Sequence, residues 1–320
     1  PLLSYLLERF FSSNERAALF RSWAGSASML IKGGDAVWGN DTGAPDDRPD
    51  AQVTQSHIYE YAARGNVSED AHTPEGAQSV RSEKFTADQA LPWLMQHAPS
   101  DFQKMVKTNY SNGIERDPKQ IQRNNKDQTK WTNPLEVALP NAPNLKIYCV
   151  YGWGKPTERS YWIRKGPNAY SDHTPGIGGN HTDAGKDKHL SNLTSVFPHV
   201  PTNRIDARIN FEDAVPKVES GCRLGEGDGT VSLISLGSMC VHGWNMKRYN
   251  PAGIKVVTRE ILHQPDEMDL RGGPKTGDHV DILGAHDLND VVVRVAVGRG
   301  HEVEEKIHSP IREYAAKIQW

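Results

Sequence analysis

Long apolar runs are missing from this 320-residue chain, and so is any marked excess of one charge. No stretch of about 18 or more apolar residues occurs, so no segment reads as a membrane-spanning helix. The 37 Lys and Arg nearly balance the 40 Asp and Glu. Basic residues are nowhere gathered on one face with interleaved aromatics, which argues against a nucleic-acid partner. Cysteine is scarce: three stand at 149, 222 and 240, a number that allows one disulfide with a thiol left over, or none. No secretory signal pattern and no internal repeat is present. The acidic run Asp278–Asp281 lacks the alternating ligand spacing of a calcium loop. No metal and no cofactor is called for.

What is present is a chain long enough for a sizeable core, diluted by polar stretches. Apolar residues make up 37% and are concentrated in a few segments. The chain opens on Pro1, with Leu2, Leu3, Leu6, Leu7, Phe10 and Phe11 at helical spacing. A start inside an apolar pattern leads us to expect that residues are missing upstream. Five glycosylation acceptor patterns occur, at Asn40, Asn66, Asn109, Asn180 and Asn192, and they favour a secretory-pathway lumen.

Residues 1–40 read as amphipathic helices. The first spans Leu2–Phe11; Ser12 and Glu15 then form a capping box for a helix running through Leu19, Phe20 and Trp23, with Gly33-Gly34 ending the region. Residues 41–135 read as an insertion and cap region, partly disordered. Within it, 41–85 is a polar surface stretch, helices are predicted over Ala87–Met95 and Asp101–Tyr110, and 111–135 is loop-like. Residues 136–320 carry the regular pattern. Lys146–Tyr151 and Ile254–Ile261 are compact β-type runs, Tyr161–Arg164 suits a hairpin strand, and 166–204 reads as a long loop. Asp287 is expected to cap a helix that Gly298 stops, and a last helix is expected over Ile311–Ile318.

This second half runs strand, loop with Asp, strand, loop with His, helix. Triad members of the α/β-hydrolase fold follow in the order Ser, then Asp or Glu, then His. Asp228 sits in a loop where Gly225, Gly227 and Gly229 permit unusual backbone angles. His279 comes after the Ile254–Ile261 strand. A buried carboxylate beside an imidazole fixes its tautomer and stabilises the imidazolium formed when it takes a proton. By spacing alone a plain Gly-Asp-Gly turn remains open, and His263 competes with His279.

Several motifs sharpen the choice. Gly227-Asp-Gly-Thr-Val-Ser-Leu233, Ser238-Met-Cys240, Tyr249-Asn-Pro-Ala-Gly-Ile254, Arg271-Gly-Gly273 and Asp278-His-Val-Asp-Ile-Leu-Gly284 together resemble the phospholipid:diacylglycerol acyltransferases of the lecithin:cholesterol acyltransferase-like family. So do Ile147–Gly152, Gly154-Lys-Pro-Thr-Glu-Arg-Ser-Tyr161, Phe20-Arg-Ser-Trp23 and Lys32-Gly-Gly34.

The resemblance implies an α/β class, here the C-terminal part of an α/β-hydrolase fold with a lid or cap region and long polar insertions. It makes Asp228 and His279 the acid and base of a triad, and pairs Cys149 with Cys240 in a disulfide, leaving Cys222 as a buried thiol. Residues 1–40 become lid-side helices, with Trp23, Met29 and Leu30 as acyl-chain contacts or, equally, ordinary core. The family's nucleophile stands in a G-x-S-x-G elbow, which this chain does not contain. The serine is therefore expected upstream, and the fragment alone is expected to be inactive. The implied reaction takes an acyl group from a phospholipid donor to a diacylglycerol acceptor at a membrane surface, in the endoplasmic reticulum lumen, on a protein whose anchor is outside this chain. A phospholipase A-type hydrolase and a non-catalytic lipid-binding fragment are the alternatives.

Overall fold

The computed structural model describes residues 19, 23–62, 82–165, 203–269 and 272–320. The expected Leu2–Phe11 helix, the Ser12/Glu15 box and nearly all of the 166–204 loop lie outside the described residues, as do Asn66, Asn180 and Asn192. In chain order the strands are β1 (Tyr59–Ala62), β2 (Ser82–Phe85), β3 (Lys146–Trp153), β4 (Thr157–Lys165), β5 (Asn203–Ile205), β6 (Val218–Glu219), β7 (Cys222–Gly225) and β8 (Lys255–Leu262). The α-helices are α1 (Ala24–Ser28), α2 (Gly34–Trp38), α3 (Ala87–Gln96), α4 (Ser100–Asn109), α5 (Pro118–Asn124), α6 (Leu233–Val241), α7 (His286–Ala296) and α8 (Ile311–Lys317).

The two compact β-type runs become β3 and β8, paired in parallel from Lys146 opposite Lys255 to Trp153 opposite Leu262. Parallel neighbours end on the same side, so the loops after Trp153 and Leu262 emerge together. The His263 N–H donates to the Trp153 carbonyl at 2.8 Å and ties those two ends. Gly152 permits a close backbone approach at this end. A Cβ there would collide with the Gly277 carbonyl, so the segment leading to His279 lies directly across the end of β3. The second sheet has the order β2-β1-β4-β7-β6, with β5 on the edge of β4. β1 and β4 run parallel; the other pairs are antiparallel. β7 ends at Gly225 and delivers the loop carrying Asp228, which feeds straight into α6.

Helix α6 is apolar nearly all round, the pattern of a helix buried on every side. It packs on β3, β8 and α8, placing Leu233, Ile234, Met239 and Val241 in one cluster with Tyr151, Ile311 and Tyr314. Cys240 on α6 is disulfide-bonded to Cys149 on β3, so the helix that follows the Asp228 loop is fastened to the inner strand pair. Glu260 on β8, 1% exposed, completes the junction. Its carboxylate accepts from Tyr151 Oη (3.0 Å), Ser309 Oγ (2.5 Å) and the amides of His308 (2.6 Å) and Ser309 (2.8 Å).

Four expectations change. Residues 41–62, read as part of a polar surface stretch, bury Asp46, Gln55, Ser56, His57 and Ile58 and supply β1. Their charges are paired inside: Asp46 with Arg159 and Glu60 with Arg223, across 113 and 163 positions. Part of 111–135, read as loop, forms α5, started by the Asp117 side chain accepting from the Lys119 amide and by Pro118 in the first turn. Gly33-Gly34 opens α2 rather than only ending the region before it, because Gly33 takes the left-handed conformation (φ +82°) at its start. Helix α7 begins two residues earlier than expected, with Ala285 at its cap, while Asp287 in the first turn turns to Arg259 and Lys306.

Candidate active site

The loop between β7 and α6 holds Asp228 tightly. Its Oδ1 accepts from the amides of Thr230 (3.0 Å) and Val231 (2.7 Å), so that one oxygen is committed to the loop itself. The Gly229 amide donates to Thr157 Oγ1 at 2.8 Å. Gly229 has φ +90°, a conformation that favours glycine, and a Cβ there would also stand 2.7 Å from Lys155 Cδ. The remaining oxygen, Oδ2, lies 2.9 Å from His279 Nδ1. The His279 amide donates to the Asp228 carbonyl at 3.0 Å, so backbone and side chain are matched at once.

Asp228 is 4% exposed, whereas the His279 side chain is 42% exposed. A carboxylate only accepts, so Nδ1 carries the proton and the lone pair is left on Nε2. Among the described residues, no group is hydrogen-bonded to Nε2. The pair is thus a buried carboxylate behind an imidazole whose Nε2 is open.

Two neighbours shape the base segment. Asp278 pairs with Lys155 and accepts from the amides of Val280 (3.0 Å) and Asp281 (3.2 Å). Burial works to raise its pKa, but the Lys155 ammonium and these amides win and lower it to about 2. His263, the competing imidazole, faces elsewhere. Its Nδ1 accepts from the Gly277 amide at 3.2 Å, and burial, helped by Lys155, lowers its pKa. It therefore acts as a neutral brace under the Gly277 turn.

The other expected site residues are placed apart. Trp23 (50% exposed) and Met29 (78% exposed) stand at the two ends of α1, with Leu30 following. Ile31, next in line, packs towards Ile58, Ala87 and Ala90. The contacts formed among the described residues set none of the three against the Asp228–His279 pair. Cys222 is buried and unbonded, and burial, with Glu158 nearby, raises its thiol pKa to about 11, which makes it unreactive. Among the described residues no cluster of His, Cys, Asp and Glu could hold a metal ion.

Lys155, Thr157 and Asp278 are neighbours of the pair to which spacing assigns no role. Lys155 and Asp278 are 123 positions apart, and no local periodicity links them. The one available signal is that Lys155 and Thr157 lie in the Gly154–Tyr161 motif and Asp278 in the Asp278–Gly284 motif.

A mixed α/β fold that sets a buried carboxylate behind an open imidazole presents a pair of groups suited to moving a proton. The chain belongs to the lecithin:cholesterol acyltransferase family, whose sequence pattern matches residues 3–286. It is 37% identical over 98% of its length to a phospholipid:diacylglycerol acyltransferase of Schizosaccharomyces pombe, and 33% identical over 99% to one of Saccharomyces cerevisiae. It is also 36% identical over 59% of its length to a putative phospholipid:diacylglycerol acyltransferase 2 of Arabidopsis thaliana. The chain spans 42%, 40% and 25% of these three relatives.

Proposed function

We propose that the protein transfers a fatty acyl group from a phospholipid to diacylglycerol, giving triacylglycerol and a lysophospholipid, through an acyl-serine whose serine lies outside this chain. The observation that carries this reading is the hydrogen-bonded Asp228–His279 pair with Nε2 left open, in a chain of this family. His279 Nε2 takes the serine proton as Oγ bonds to the ester carbonyl carbon. The resulting imidazolium returns that proton to the glycerol oxygen as the lysophospholipid leaves. Nε2 then takes the diacylglycerol hydroxyl proton as that oxygen attacks the acyl-serine, and gives it back to serine Oγ. Asp228 holds the Nδ1–H tautomer throughout and balances the imidazolium charge.

The surroundings suit a lipid. Next to His279, Val280 (60% exposed) and Leu283 (72% exposed) line an open groove of about 560 Å³ together with Gly273, Pro274, Asp281 and Gly284. An apolar rim beside the base fits acyl chains presented at a membrane surface. Trp23, Met29 and Leu30 extend the same role as lid-side acyl contacts, supported by the exposure of Trp23 and Met29.

In the full-length protein, labelled phospholipid is expected to yield labelled triacylglycerol only when diacylglycerol is added. Free fatty acid as the sole labelled product would replace the transferase reading with a hydrolase. Lipid binding with no turnover would leave a non-catalytic lipid-binding protein.

The same reading puts this domain in the lumen of the endoplasmic reticulum, on a protein anchored by a segment outside this chain. A disulfide between Cys149 and Cys240 supports an oxidising compartment. Asn109, exposed at the end of α4, offers a glycan acceptor. Endoglycosidase H treatment is expected to increase the protein's gel mobility; unchanged mobility, with Asn109→Gln also without effect, argues for the cytosol.

A further inference from the structure

Lys155 touches both the loop that carries Asp228 and the segment that carries His279. Its backbone N–H donates to the Gly227 carbonyl at 3.1 Å, and the residue forms a parallel bridge with Asp228. Its aliphatic stem lies against Gly229. Its ammonium then crosses to the other loop and pairs with Asp278, the residue before His279. Asp278 in turn accepts from the amides of Val280 and Asp281, so its carboxylate closes the turn that presents the imidazole.

We propose that Lys155 and Asp278 form a clamp that registers the acid loop against the base loop and brings two opposite charges to bear beside His279. Both are positioning residues, since neither bonds to the imidazole. The proposal rests on the acyl-transfer reading for its kinetic test, though not for its titration.

Two physical effects arise from one ion pair. The first is geometric: the link fixes the base segment relative to the β3–β4 turn, from which the acid loop also hangs. The second is electrostatic. Among the described residues, the titratable groups on the segments beside His279 include Asp228 on the acid loop, Lys155 on the turn after β3, Asp278 and Asp281 on its own segment, and His263 just after β8. His263 is kept neutral by burial and by Lys155, so it adds no charge near neutral pH. Lys155 and Asp278 carry opposite charges on the segments that flank the imidazole, so removing either one leaves the other uncompensated. Both are partly exposed, at 37% and 22% of the side chain, so the field is screened but not abolished.

The signs are opposite for the two members. Lys155→Met leaves the Asp278 anion uncompensated, which favours imidazolium. Asp278→Asn leaves the ammonium uncompensated, which disfavours it, while keeping an oxygen for the two amides. In the full-length protein, the acid limb of the kcat/KM profile is expected to move up by about half a pH unit in Lys155→Met and down by about as much in Asp278→Asn. The double variant is expected to return towards the parent position. Each single variant is expected to lose roughly tenfold in kcat at the pH optimum with KM unchanged, as expected when alignment alone is disturbed. Lys155→Arg is expected to retain both profile and rate.

His279 itself can be titrated by NMR in the same variants, and its pKa is expected to follow the same two directions whatever reaction the protein runs. An unmoved His279 pKa in both single variants overturns the clamp, even if stability falls. The two readings fail separately. Turnover that survives His279→Ala sinks the acyl-transfer assignment, whereas a dead His279→Ala beside unaltered Lys155→Met and Asp278→Asn profiles sinks only the clamp.

Discussion

In the full-length protein, Asp228→Asn and His279→Ala are each expected to lower acyl transfer by about 10⁴-fold. The expectation for Asp228→Asn comes from how the loop uses the carboxylate. Oδ1 accepts from the Thr230 and Val231 amides, so an asparagine must put its carbonyl oxygen there. Its NH₂ then faces His279 Nδ1, where Oδ2 now stands at 2.9 Å. A donor facing Nδ1 drives the imidazole proton to Nε2, the nitrogen that has to accept from the nucleophile. The variant should therefore fold and bind lipid while turning over only residually. Steady-state triacylglycerol formation, with thermal melting as the control for folding, checks it. Activity within tenfold of the parent in either variant would remove the pair from the mechanism.

Arg159→Met is expected to destabilise the protein by roughly 3–5 kcal/mol, because it strands the buried Asp46 carboxylate. The Arg159 side chain is 0% exposed and binds Asp46 through Nε (2.8 Å) and a terminal nitrogen (3.1 Å). That nitrogen also donates to the Trp38 carbonyl at 3.1 Å, and the guanidinium lies over the Trp38 ring, 4.7 Å from its centre. One side chain thus joins β4, the 41–62 segment and α2. The melting temperature should fall by roughly 6 °C or more. Asp46→Leu combined with Arg159→Met should recover most of the loss, since an apolar pair avoids the stranded charge. A loss below about 1 kcal/mol for Arg159→Met alone would show that Asp46 finds water or another partner.

The Asp228–His279 pair and the buried ion pair differ in how legible they are in the sequence, and the same contrast holds among the elements. Helix α3 is legible because Thr86 and Gln89 form a capping box at its start and its apolar residues recur at helical spacing. Strands β3 and β8 are legible because strands flanked by other elements are written as short apolar runs. Helix α5 escapes sequence reading because it spans only seven residues and Ile121 is its one buried apolar side chain. The segment 41–62 misleads for a different reason. Its buried residues are mostly polar, and polar residues read as surface unless their partners are known.

The same division runs through the site. Sequence alone determined the family motifs, the positions of Asp228 and His279, the absence of a G-x-S-x-G elbow and the cysteines available for bonding. Those are properties of residue type and local order, which a chain displays without folding. Tertiary structure decided that Asp228 and His279 meet across 51 positions, that Gly152 lets the base segment cross the end of β3, and that Lys155 reaches Asp278. Ion pairs and carboxylate–imidazole contacts are bonds between groups brought together by strand register and loop closure, and no local periodicity records them.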